Sequence, residues 1–396
     1  MQKHKLPKGF LANGIHCGLK KKRKDLSLFY SKSPCNLAAI FTKNAVKAAP
    51  VVLAQERLKK NTPVNAVVVN SGNANCMTGV RGMNDARKMT RVLAKLLGVT
   101  EEKVLVSSTG IIGEYMQMKP VIGGMADLVA GLSAGGLMDA ADGIMTTDSF
   151  RKCASRTFTV GGKKIVMTGV AKGAGMIKPD MATMLGFILT DASISKKAMV
   201  KALSASADIS FNAITVDGDM STNDTVMLLA NGEAGNGLIE EKGKDFEFFQ
   251  KNLDAVCKDL AQMVVRDGEG ASKFIEVKVK GARSESDAKK VAQAVAGSLL
   301  VKCAVLGGDP NWGRIASSAG ASGVKFNPDK MEIILGGEVF FKNGKFYPHP
   351  SRKMDSSFKG KDVKITVDLH EGKGKAVVFT CDISKKYITL NSFYTT

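Results

Sequence analysis

Histidine is scarce in this 396-residue chain, and its four residues, His4, His16, His349 and His370, stand apart from one another and from any useful Cys or Asp spacing. That arrangement gives no support to a zinc site or a Ser-His-Asp triad, which need their parts in defined patterns. The HExxH helix and the GxxxxGK phosphate loop are both missing. Seven cysteines (17, 35, 76, 153, 257, 303 and 381) are dispersed with no CxxC pair. They read as reduced, mostly buried small side chains of a cytoplasmic protein rather than a disulfide framework. No run approaches the roughly 18 apolar residues that cross a bilayer. Pro7, Gly9, Asn13 and Gly14 interrupt the basic N-terminus where an export signal would need an apolar stretch.

Acidic residues are also in short supply: 37 Asp and Glu face 57 Lys and Arg, leaving a formal net charge of +20. Such a balance suits a polyanion, and Lys20, Lys21, Lys22, Arg23 and Lys24 form a compact basic run. Yet aromatics make up only 6% of the chain, the remaining lysines are scattered, and no nucleic-acid-binding fold pattern is present. The run leads directly into DLSLFY (Asp25 to Tyr30), so it reads as a hairpin loop entering a strand. A basic surface that draws in acidic metabolites is the simpler use of the charge.

With 44% hydrophobic residues, the chain can bury a large core and split into two lobes. Strand and helix patterns alternate, which predicts a layered α/β fold. Val64 to Asn70 reads as a buried strand, Met83 to Leu97 as a helix, and Lys103 to Ser107 as the next strand, with Thr109 and Gly110 just past its end. Phe246 to Val265 and Asp287 to Val301 carry apolar helical faces, and Phe274 to Lys280 alternates as a half-exposed strand. An Asn343-Gly344 turn marks a hairpin, so the region after about residue 325 is expected to be rich in strands.

Against that background one stretch stands out: Lys172 to Leu189, KGAGMIKPDMATMLGFIL. Gly173, Gly175 and Gly186 allow positive φ or close backbone approach. Met184, Leu185, Phe187, Ile188 and Leu189 form the apolar run of a strand covered on both faces. Thr183 stands at the mouth of that strand. It could be an ordinary β-branched strand residue. Were the Ala182–Thr183 bond cut, Thr183 would instead carry both an Oγ nucleophile and an α-amine with a pKa of about 8, fit to act as its general base.

The company of this segment favours the second reading. FTKNAVKAAPV (Phe41 to Val51), VVVNSGNANCMTG (Val67 to Gly79), SSTGIIG (Ser107 to Gly113), MTTDS (Met145 to Ser149), NAITVDGDMSTNDTV (Asn212 to Val226), DGEGASK (Asp267 to Lys273) and GGDPNWGRIA (Gly307 to Ala316) occur in order. Together they resemble the ornithine acetyltransferase (glutamate N-acetyltransferase) family, from about Gly9 to the C-terminus. The resemblance implies an α-β-β-α sandwich of the self-processing ornithine acetyltransferase and aminopeptidase type, with a smaller strand-rich C-terminal lobe at about 325–396. It also implies self-cleavage into an α segment, 1–182, and a β segment, 183–396, with two of each in the assembly.

By the same resemblance Thr183 is the nucleophile, Thr109 and Gly110 form the oxyanion hole, and Lys172 and Glu269 bind substrate. Asn391 and Thr396 join the substrate contacts, as does one of Thr146 and Thr147, between which the sequence does not choose. The implied reaction is ping-pong transfer of acetyl from N-acetyl-ornithine to glutamate in arginine biosynthesis, without a metal or a cofactor. Acetyl-CoA serves some family members as a further substrate, and no residue here decides that point. Two other classes stay open: an aminopeptidase or amidase with the same N-terminal nucleophile, and a non-catalytic basic binding protein.

Overall fold

The structure, a computed structural model, describes residues 4–178, 184–348 and 358–393. In chain order its elements are β1 (Phe10–Ile15), β2 (Leu26–Phe41), α1 (Ala49–Lys59), β3 (Val64–Asn73), α2 (Gly79–Leu97), β4 (Val104–Ile111), α3 (Met118–Ala130), α4 (Leu137–Ile144), β5 (Lys152–Val160), β6 (Lys163–Lys172), β7 (Leu185–Thr190), α5 (Lys196–Asp208), β8 (Thr225–Ala230) and α6 (Lys244–Arg266). There follow β9 (Phe274–Ala282), α7 (Glu285–Gly297), α8 (Leu299–Gly307), α9 (Trp312–Gly320), β10 (Glu332–Leu335), β11 (Glu338–Lys342), β12 (Lys345–Phe346), β13 (Asp362–Asp368), β14 (Gly374–Cys381) and a last helix, α10 (Lys385–Phe393).

The long strand β2 explains the layering. Its first half, Leu26 to Tyr30, pairs antiparallel with β3, and its second half, Asn36 to Phe41, pairs antiparallel with β8. The register breaks between Tyr30 and Cys35. One strand therefore belongs to two half-sheets, in the order β4-β3-β2-β8-β7-β6-β5, with β1 beside β2. The halves fold face to face: Phe29 of β2 meets Phe187 of β7 at 5.1 Å between ring centroids, and Val67, Val69 and Leu105 share one apolar cluster with Leu185, Leu189 and Leu229.

Each half-sheet is covered on its outer face by helices. Ala86, Met89 and Leu93 of α2 and Val121 and Met125 of α3 close over Val68 and Val106. Leu203 of α5 and Phe249, Leu253 and Leu260 of α6 close over Ile188, Val226 and Leu228. The result is the expected α-β-β-α sandwich. Every residue of β7 is buried, as its apolar run predicts, because β7 lies between β6 and β8 in the middle of its half-sheet.

A second sheet, β12-β11-β10-β13-β9-β14, carries α7, α8 and α9 on a separate core. Its strand β9 and these helices precede residue 325. Asn343 and Gly344 both have positive φ, 51° and 68°, as the hairpin turn requires. Among the described residues no single helix is long and apolar enough to cross a membrane.

Three local expectations are corrected. The helix read over Asp287 to Val301 is two, because Ser298 leaves the helical conformation (φ −69°, ψ 115°) and its hydroxyl accepts the Val301 N–H at the start of α8. The strand expected to end at Ser107 runs on to Ile111, since pairing with β3 continues through Gly72 and Asn73. His370 is not isolated: it sits within 3.0 Å of Glu332 and 3.7 Å of Asp368. Lys280 and Lys342 are paired to the same two carboxylates, which gives that cluster its countercharge.

Candidate active site

The parallel strands β3 and β4 end together, and their ends form one wall of a cleft. Ser71 stands opposite Thr109, and Gly72 opposite Gly110, just before a bulge at Asn73. Gly110 has φ +136°, and a Cβ placed there would lie 2.3 Å from the Gly72 carbonyl carbon. Only glycine fits, because the backbones touch. Asn223, buried in the loop before β8, fixes these ends from the other half-sheet by donating from Nδ2 to the carbonyls of Ala74 (2.7 Å) and Ser108 (2.8 Å).

Lys172, the last residue of β6, faces this wall and donates from Nζ to Thr109 Oγ1 at 3.3 Å. Its surroundings are charged and dry. Lys152 is completely buried, with Nζ 2.6 Å from Asp148 Oδ1 and 2.5 Å from Asp267 Oδ2. Asp148 Oδ1 also accepts the Gly173 N–H at 2.8 Å, and Oδ2 accepts the Thr146 N–H at 2.8 Å. Burial pushes the Lys172 ammonium below its ordinary pKa, with Asp148 acting in the opposite sense. For Asp148 burial favours the acid form, but the Lys152 and Lys172 cations, with hydrogen bonds from Lys152 and the Gly173 N–H, hold its carboxyl well below the usual range. Two cations thus share one interior with two carboxylates.

The opposite wall comes from the turn after α6 and from α10. Glu269 is held by its N–H, which donates to the Ala174 carbonyl at 2.8 Å. Asn391 donates from Nδ2 to Glu269 Oε2 at 2.9 Å. A Cβ on Gly175 would lie 2.6 Å from the Glu269 carboxyl carbon, so the glycine makes room for that carboxylate. One turn earlier on α10, the Tyr387 hydroxyl donates to Asp217 Oδ2 at 3.3 Å, and Asp217 also accepts the N–H groups of Met176 (2.6 Å) and Ile177 (2.8 Å). The backbone next to Asp217 is tied to β14 by Lys302, fully buried, whose Nζ donates to the Val216 carbonyl, Thr380 Oγ1 and the Cys381 carbonyl.

These groups enclose a cavity of about 290 Å³ lined by Thr109, Gly110, Thr146, Thr147, Lys172, Glu269 and Asn391, all seven expected from the sequence. That volume is at the lower edge of the range of about 300–1,000 Å³ common for small-molecule sites. Both threonines of the MTTDS segment line it. Ala182, Thr183 and Thr396 lie outside the described residues. Met184, the residue after Thr183, is anchored by donating its N–H to Asp224 Oδ1 at 3.0 Å. Asp217, Asn223 and Tyr387 also line the cavity; Asp217 and Asn223 fall in a quoted motif, whereas nothing local sets Tyr387 apart. A larger cleft of about 920 Å³, among Leu137, Met138, Phe150 and Met263, contains none of the expected residues.

A cation on one side and a carboxylate paired with an amide on the other suit a small substrate carrying both carboxylate and ammonium groups. The family model described as "ArgJ family" matches residues 11–396. The arginine biosynthesis bifunctional protein ArgJ of Bacillus licheniformis is 46% identical over 390 residues, 98% of this chain and 96% of that protein. The protein of the same name from Caldanaerobacter subterraneus subsp. tengcongensis is 47% identical, over 100% of this chain and 98% of its own length. The crystal structure of the Bacillus halodurans protein, also arginine biosynthesis bifunctional protein ArgJ, is 40% identical with a TM-score of 0.51; the match covers 98% of the solved chain and 52% of this one.

Proposed function

Because the chain belongs to the ArgJ family of bifunctional arginine-biosynthesis enzymes, we propose that it carries acetyl from N2-acetyl-L-ornithine to L-glutamate through an ester on Thr183. The nucleophile arises by self-cleavage between Ala182 and Thr183, and the mature enzyme combines two α segments (1–182) with two β segments (183–396). Self-cleavage proceeds by attack of Thr183 Oγ on the Ala182 carbonyl: an N-to-O acyl shift breaks the peptide bond and frees the α-amine, and water hydrolyses the resulting ester to release the Ala182 carboxylate and the Thr183 hydroxyl. The solved relative supports a divided chain, since nearly all of it corresponds to about half of this sequence.

In turnover Thr183 Oγ attacks the acetyl carbonyl while its own α-amine takes the hydroxyl proton and passes it to the departing ornithine amine. Thr109 Oγ1 already accepts a hydrogen bond from Lys172, so its own hydrogen is free to point at the developing oxyanion beside the Gly110 N–H. Each such donor is worth about 3 kcal/mol in comparable sites. The glutamate amine then attacks the ester, releasing N-acetyl-glutamate and restoring Thr183. Lys172 pairs with a substrate carboxylate, Glu269 and Asn391 receive an ammonium, and Thr146, Thr147 and Thr396 complete the contacts. No cofactor enters this scheme; acetyl-CoA is an alternative acetyl source.

The observation that carries the proposal is convergence: residues spaced from 109 to 391 in sequence border one small polar cavity. Intact mass spectrometry tests it. Wild type is expected as two fragments and Thr183→Ala as one 42.0 kDa chain. Purified wild type should release ornithine faster when glutamate is added. Release indifferent to glutamate would identify an amidase of the related self-processing kind, and an uncut, active wild type would overturn the N-terminal nucleophile.

A further inference from the structure

The basic run Lys20–Lys24 is only partly displayed, with Lys21, Lys22 and Arg23 exposed and Lys20 and Lys24 half-buried. It forms the tip of the β1–β2 hairpin and wraps around Asp25, a buried carboxylate that accepts the N–H groups of Cys17 (2.6 Å), Gly18 (3.1 Å) and Lys20 (2.9 Å). From there the Lys20 side chain turns inward. Its Nζ donates to the Met145 carbonyl at 2.6 Å and to the Lys24 carbonyl at 2.8 Å. Its stem lies against Gly72, where an added Cβ would come 3.3 Å from Lys20 Cγ. Gly72 is the residue on which Gly110 is packed, and Met145 leads into Thr146 and Thr147. Arg23 adds a second tie, from Nη1 to the Asp148 carbonyl at 3.3 Å, and Lys24 pairs with Asp139.

We propose that Lys20 is a positioning residue for acyl transfer: one side chain spans from Gly72 to Met145 and fixes the Thr146–Thr147 loop relative to the Thr109–Gly110 wall. The location is unfavourable for a cation. Burial lowers the pKa of Lys20 to about 8, with Asp25 favouring the charge and Lys172 opposing it. An ammonium kept there despite desolvation gains two main-chain carbonyls that would otherwise go without this donor. Lys21 and Lys22 of the same run are exposed and supply a control.

This inference rests on the acetyl-transfer reading, and the experiment separates the two. Lys20→Met keeps an apolar stem and removes the ammonium. Its KM for N-acetyl-ornithine is expected to rise about tenfold, the effect of one charge-assisted hydrogen bond, while kcat falls less. Hydrogen exchange should speed up at the Thr146 and Ser149 amides, which now donate to Asp148 and Asp267. Lys20→Gln, with a shorter donor, should fall between the two proteins, and Lys21→Met should match wild type in both measurements. Wild-type KM and exchange in both Lys20 variants, or an equal change in Lys21→Met, overturns the proposal. A wild type without acetyl transfer retires the reaction instead, and the exchange comparison still decides whether Lys20 braces the loop.

Discussion

Lys172 Nζ touches Thr109 Oγ1 at 3.3 Å, a contact that joins the end of β6 in one half-sheet to the end of β4 in the other. On the proposed function the lysine has two roles: a cation for a substrate carboxylate and a donor that orients the threonine hydroxyl. Lys172→Met should therefore damage binding and chemistry together. A loss of about 2 kcal/mol in binding, roughly thirtyfold in KM, is expected from the charge-assisted bond. A further fall in kcat should come from the disoriented Thr109. The folded state should hardly suffer, because Asp148 retains Lys152 at 2.6 Å and a buried, desolvated cation has been removed. Steady-state kinetics beside a denaturant midpoint would check both parts; a fall in stability with KM unchanged would make Lys172 purely structural.

Gly110→Ala tests the backbone contact with Gly72. The added methyl would sit 2.3 Å from a main-chain carbon at a φ of +136°, so β3 and β4 must separate or Gly110 must change conformation. The expected loss is about 3 kcal/mol of stability, from steric overlap and a disfavoured dihedral together. Activity should disappear even at temperatures where the variant is folded. Urea unfolding followed by turnover below the transition distinguishes this from a stability effect alone.

The contribution of sequence differed by element for physical reasons. β7 and α6 were legible because burial on both faces, or on one helical stripe, leaves its own periodicity in the chain. The break at Ser298 was hidden because apolar residues continue across it, and only the capping hydroxyl stops the helix. Thr109 and Gly110 read as lying past a strand end because β4 outlasts its apolar run, prolonged by pairing with β3 rather than by its own side chains. Among site residues, Lys172 and Glu269 were carried by motifs and fall on the cavity. Tyr387 and Lys20 were not found, since their importance lies in contacts with Asp217 and Met145, far away in sequence. The Lys20–Lys24 run reads correctly as a hairpin loop, but a loop tip gives no sign of which lysine turns inward.

Asn391 offers a test of the far wall at little structural risk. It lies on α10, none of whose residues is buried, and its Nδ2 reaches Glu269 Oε2 at 2.9 Å. Asn391→Ala should leave the melting temperature within about 2 °C of wild type, as expected of an exposed position. KM for the substrate bearing the ammonium should rise by about tenfold as Glu269 loses its orientation. Asn391→Asp should be worse than Ala, because two carboxylates would then face each other. An Asp variant that binds as well as wild type would remove Glu269 from ammonium recognition.

Asp224 links the site to pH. It is 1% exposed; Oδ1 accepts the Met184 N–H at 3.0 Å, and Oδ2 is enclosed without a hydrogen bond of normal geometry among the described residues. Burial drives its pKa well above the ordinary value, against the opposing pull of the Met184 N–H. Because the folded value exceeds the unfolded one, the native chain binds more protons over the interval between them, so this carboxyl lowers stability as pH rises through that interval. Asp224→Asn keeps an acceptor for the Met184 amide and cannot ionise. The two proteins should be equally stable in acid, and the variant should become the more stable one as pH climbs from about 4, where an unfolded aspartate begins to ionise. Denaturant midpoints collected across that range provide the measurement. Parallel curves would mean that Asp224 ionises in the folded protein as readily as in the unfolded one, and that its neighbours, rather than its burial, control the charge beside Met184.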